Sequence, residues 1–144
     1  MDQVNISSPT ASRMTVLSSA MLGLLSLQFI LGKLINLYVD LPSNADKQAQ
    51  MKVLYSQWQY VGHIMIGTAS IALAIALLVG SFKMKHATLK ILSVVGFVAL
   101  ATASIGGRMF VDSYSSTGSL VMAIGFIVAM GVYGRFMSVV MSAK

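Results

Sequence analysis

Four long apolar runs, each broken by very few charges, constrain this chain more than any other feature. They fall at about residues 14–39, 59–82, 89–111 and 119–141. A helix needs roughly 20 mostly apolar residues to cross the hydrocarbon of a bilayer, and all four runs reach that length. Composition argues against a soluble alternative. The 144 residues are 56% hydrophobic and only 10% charged, where a soluble domain carries about 25% charged residues. A core of this size cannot enclose so much apolar surface, and the mean hydropathy is +0.80. The expected fold is an all-α integral membrane protein: a four-helix antiparallel transmembrane bundle forming one domain over residues 1–144.

Between the runs the chain gives local signals. Residues 1–12 are polar, carry Pro9 and lack periodicity, so they read as a surface tail. Asn5-Ile6-Ser7 matches a glycosylation sequon, read as a chance match because this end is placed inside. Ser43-Asn44-Ala45-Asp46 resembles a capping box with Asp in place of Glu. Met51, Leu54, Tyr55 and Trp58 then recur at helical spacing. Together they predict a short interfacial helix between spans one and two, lying on the membrane and running into span two. Tyr55, Trp58 and Tyr60 form an aromatic cluster suited to the head-group boundary. Small residues mark where helices can approach closely: Ala72 and Ala76, then Gly96, Ala99, Ala103, Gly106 and Gly107, then Gly125 and Ala129. The segment from Ser113 to Gly118 is short and turn-like.

The formal charge of +6 sits at helix ends rather than on a nucleic-acid-binding face. The 83–90 loop, with Lys83, Lys85, His86 and Lys90, is the densest basic segment, and it belongs on the cytoplasmic side. Arg13, Arg135 and Lys144 then share that side. Lys33, Lys47, Lys52 and Arg108 lie on the other, with every acid except Asp2. Both termini are thus expected in the cytoplasm, with the chain multi-pass in the cell membrane. There are no cysteines, hence no disulfide framework or thiolate metal site.

Polar groups inside a membrane helix are expensive and usually have a reason to be there. Gln28, Gly32 and Asn36 are spaced i, i+4, i+8 and share a face of span one. His63 is the one histidine within a span. Lys33, Arg108 and Asp112 fall near the same end of the bundle. Three readings compete. In the structural one, Lys33 and Arg108 pair with Asp40 and Asp112, and His63 bonds to Asn36 or a backbone carbonyl. In the second, His63 ligates a b-type haem, with Met109 as the candidate second ligand. In the third, His63, Asn36, Gln28 and Arg108 contact a quinone or a lipid head group. The apolar inner halves of the spans argue against a proton pathway. No phosphate-binding loop, H-E-x-x-H, nucleophile elbow or catalytic carboxylate pair is present in the sequence.

Three stretches resemble a group of small, uncharacterised four-helix prokaryotic membrane proteins. They are LQFILGKLINLYVDLP at 27–42, His63-Ile64-Met65-Ile66-Gly67, and the segment Ser104–Tyr133 with Gly107, Phe110 and Ser119-Leu120-Val121-Met122-Ala123. The resemblance implies the four-helix fold and, because Asn36 and His63 match the shared pattern, a common site at those two residues. Lys33 stands where the group has Met, and Arg108 where it has a small residue; a His-Pro-Gly element in the connector is missing. Phe29, Gly32 and Lys33 also resemble DoxX-like membrane proteins over one helix.

The expected function is that of a non-catalytic membrane subunit of a larger respiratory or redox complex, with other membrane subunits and lipid as its partners. The alternatives are a small haem- or quinone-binding protein using His63, and a self-assembling scaffold.

Overall fold

The computed structural model describes residues 8–39, 46–113 and 116–142. Five helices carry this part of the chain: α1 (Ser8–Tyr38), α2 (Lys47–Ser56), α3 (Trp58–Phe82), α4 (Ala87–Ser113) and α5 (Ser116–Ser142). No strand occurs among the described residues. At 1.5 Å per residue the four long helices run roughly 37–47 Å, enough to cross a hydrocarbon layer of about 30 Å. All four are apolar enough to do so.

Helix boundaries follow local chemistry. α1 begins at Ser8, so residues 8–12 are helical rather than part of a surface tail. Pro9 sits in the first turn, where its missing N–H is no loss and its fixed φ suits a helix. The N-cap of α2 is Asp46 itself, whose side chain accepts from the Ala49 N–H at 2.7 Å. This corrects the expected capping box, in which Asp46 stood at the third helical position and Ser43 capped. Ser43 lies outside the described residues, as do the sequon Asn5–Ser7, Asp2, Asp40 and Lys144. Gln57 is extended (φ −91°, ψ 120°), so α2 does not run continuously into α3.

The long helices pack in chain order around a ring. α1 touches α3 and α5, and α4 touches α3 and α5; α2 leans on α3. The centre holds Met21, Leu25, Ala74, Leu77, Leu89, Ala129, Tyr133 and Phe136, all fully buried. Much of the remaining interior is small. Ser18, Ser70, Ser81 and Ser93 are buried, and so are Gly96, Gly106, Gly118 and Gly125. Large aliphatic side chains point outward instead, among them Ile30, Ile75, Val98, Ile105, Ile124 and Ile127. Apolar side chains outside and small ones at the contacts are what lipid-embedded packing selects.

The α4–α5 contact is the closest. A Cβ added at Gly106 would collide with the Met122 backbone nitrogen. One at Gly118 would lie 2.6 Å from the Phe110 nitrogen, and one at Gly125 2.7 Å from both the Ala103 nitrogen and the Ala99 carbonyl oxygen. Backbone meets backbone here, so each glycine is needed for lack of a side chain. On α3 the small-residue pair expected at Ala72 and Ala76 is exposed. The packed face is Ser70, Ala74, Leu77 and Ser81, two residues out of phase with it.

Candidate functional site

Two polar side chains of the long helices meet between α1 and α3. Gln28 Nε2 lies 2.9 Å from His63 Nε2. The local sequences explain the meeting. Gln28 is followed four residues later by Gly32, and His63 four residues later by Gly67, so each polar residue shares a helix face with a glycine. The two pairs interlock. A Cβ at Gly32 would sit 3.4 Å from His63 Cε1, and one at Gly67 would sit 3.1 Å from Gln28 Nε2. Each glycine therefore makes room for the opposite helix's polar side chain.

The amide nitrogen can only donate, so this bond makes His63 Nε2 the acceptor and places the imidazole proton on Nδ1. Gln28 Oε1 and His63 Nδ1 are both buried without a hydrogen-bond partner among the described residues. Turning the amide over exchanges donor for acceptor but still leaves one of each.

The other expected site residues lie elsewhere. Asn36 is exposed on α1, so His63 bonds to Gln28 and not to Asn36. Lys33 Nζ stands 5.7 Å from the Phe29 ring centre in a cation–π arrangement. Arg108 pairs with Asp112 at 3.6 Å, one turn along α4, as its spacing suggested. Asp112 also takes Lys47 at 3.1 Å, which ties α2 to the end of α4. These groups are exposed. Met109, the candidate second haem ligand, is exposed on α4. Of the aromatic cluster, Tyr55 and Tyr60 meet edge to face at 5.4 Å, while Trp58 is 66% exposed.

No family model, curated protein or solved structure matches this chain.

Sequence reasoning passed over two buried polar features. Ser81 and Ser93 join α3 to α4 through a 2.6 Å hydroxyl–hydroxyl bond. The signal was present, since Ser81 is the last residue but one of α3 and Ser93 lies within two turns of the start of α4, on either side of a short connection. Tyr133 is fully buried with its hydroxyl unpartnered among the described residues. Its ring fills the space over Gly96, where an added Cβ would lie 2.7 Å from Cζ. The remaining hydroxyls in the helices mostly return to their own backbone. Ser18 donates to the Met14 carbonyl at 2.8 Å, Ser70 to Ile66 at 2.8 Å and Ser104 to Leu100 at 2.9 Å.

Proposed function

We propose that this chain is a four-span antiparallel bundle that serves as a non-catalytic membrane subunit of a larger complex, in keeping with the expected respiratory or redox setting. The observation that carries the proposal is the division of side chains. Most serine and threonine hydroxyls described within the spans are taken up by backbone carbonyls or by the helix–helix bonds Ser81–Ser93 and Ser19–Met137, while the outward faces present large aliphatic groups on all four helices. Such a molecule offers surface to lipid and to other membrane helices.

The contacts support the antiparallel arrangement. Residue numbers rise along one helix as they fall along its neighbour: Met14 reaches Gly80 while Gln28 reaches His63, and Gly106 lies by Met122 while Gly96 lies by Tyr133. With the 83–90 loop in the cytoplasm, both termini are cytoplasmic and α2 lies at the outer head-group boundary of the cell membrane. The likeness to small four-helix prokaryotic membrane proteins fits the same reading.

A photo-crosslinking residue at Ile127, which is 69% exposed, tests the subunit reading in native membranes. The expected product is a cross-link to one defined protein chain. Cross-links to lipid alone would contradict it, and cross-links to the same chain would favour the self-assembling scaffold.

The unpartnered Gln28 Oε1 and His63 Nδ1 favour a second reading, a small cofactor-binding protein. A quinone or quinol head fits better than haem. His63 Nε2 is already bonded to Gln28, whereas Nδ1–H is available to a carbonyl oxygen and Oε1 to a hydroxyl. On this reading His63→Ala abolishes quinone retention while the fold survives. Equal retention by the variant would remove it.

A further inference from the structure

The two ends of the bundle treat their charges differently. At the end carrying α2, bases face acids: Lys47 and Arg108 both bond Asp112. The only other acid among the described residues, Asp46, caps α2 at the same end. The opposite end gathers Arg13, Lys83, Lys85, Lys90 and Arg135 with no acid among the described residues.

These five bases come from α1, α4, α5 and the α3–α4 connection; the contacts hold Arg13, Lys83 and Lys90 at one level, with Arg135 roughly 12 Å further along the bundle. Arg13 precedes Met14, whose Sδ would lie 2.8 Å from a Cβ at Gly80. Lys83 follows directly on α3, and Lys90 precedes Ser93, which bonds Ser81. Arg135 lies two residues before Met137, whose Sδ accepts from Ser19 Oγ at 3.6 Å. Arg13, Lys83, Lys85 and Arg135 are exposed, and Lys90 Nζ rests 5.9 Å from the Phe82 ring centre. His86, in the same connection, keeps a buried Nδ1 with no partner among the described residues. Beside Arg13 a shallow groove of about 290 Å³ is lined by Ser12, Arg13, Val16 and Leu17, a basic rim over an apolar wall.

We propose that this end binds anionic phospholipid, with the phosphates held by the uncompensated bases and an acyl chain in the groove beside Arg13. The proposal rests on the membrane-spanning reading. Orientation in the membrane explains why bases collect on one side. It does not require them to gather with no acid among the described residues, next to an unpartnered imidazole nitrogen and an apolar groove. Clusters of Lys and Arg at the cytoplasmic ends of membrane helices attract anionic head groups.

The test uses the full chain in bilayer nanodiscs of phosphatidylcholine with a minor fraction of phosphatidylglycerol, with retained lipid counted by native mass spectrometry. Carbonate extraction of native membranes first checks the reading beneath it, since release of the chain by carbonate would overturn both. In nanodiscs the wild type retains phosphatidylglycerol over phosphatidylcholine. Lys83→Gln/Lys85→Gln/Lys90→Gln weakens that preference roughly a hundredfold, while Lys47→Gln/Lys52→Gln at the other end leaves it unchanged. Equal loss in both variants, or no preference in the wild type, overturns the proposal. Full displacement of the retained lipid by inorganic phosphate also overturns it, because the site would then recognise the free anion. Circular dichroism of the triple variant checks the fold; if it is lost, Arg13→Gln/Arg135→Gln must show the weakened preference, and its absence there overturns the proposal.

Discussion

Gln28 of α1 and His63 of α3 face one another across the helix contact, their side-chain nitrogens 2.9 Å apart, each lodged over a glycine of the opposite helix. The pair fixes the register of α1 against α3, because a shift of one residue takes both side chains off their glycines. Removing one partner leaves the other polar and buried, at a cost of about 1–3 kcal/mol. Gln28→Leu and His63→Leu should each destabilise the bundle within that range. The double variant should be less damaging than their sum, with a coupling of about 0.6–1.7 kcal/mol. Unfolding titrations of all four proteins in the same detergent measure it.

Glycines at the α4–α5 contact should be far less tolerant than those facing outward. Gly106→Ala places a methyl group against the Met122 backbone, and overpacking of this kind costs about 1–3 kcal/mol. Gly131→Ala meets nothing within 4 Å and should leave stability unchanged or slightly raised. Thermal unfolding of the two variants side by side separates the effect of packing from that of backbone freedom.

Tyr133→Phe should be neutral or stabilising. The hydroxyl it removes is buried and makes no bond among the described residues, so nothing favourable is lost. Tyr133→Ala empties the space over Gly96 and should cost about 3–5 kcal/mol. A marked loss in the Phe variant, read by unfolding midpoint, would mean that the hydroxyl has a partner this account omits.

Asp112→Asn should loosen α2 without altering the unfolding of the long helices. Asp112 holds Lys47 through an exposed pair, and exposed pairs contribute little and are weakened by salt. Hydrogen exchange should therefore quicken in α2 alone, and high salt should bring the wild type to the same rate.

The helices themselves were legible because lipid demands long apolar runs, and runs of that length have few other uses. Their faces were less so. Ala72 with Ala76, and Ser70 with Ala74, both offer small residues four apart on α3, and only packing selects the second pair. Gln28 and Asn36 share a face of α1, yet His63 meets Gln28 because Gly32 and Gly67 set the register, which a single helix cannot reveal. Pro9 read as a break because proline within a helix usually is one, but in the first turn it is not. Arg108 with Asp112 was readable because both lie on one helix; Lys47 with Asp112 was not, since it depends on where α2 folds back.

The central claim is that this bundle is built to assemble with other membrane chains. It is tested most directly by extracting it from native membranes in mild detergent and weighing the particle with its protein content resolved. The expected particle is well above the 15.3 kDa protomer and contains other chains in a fixed ratio. A lone protomer carrying only detergent and lipid would contradict it.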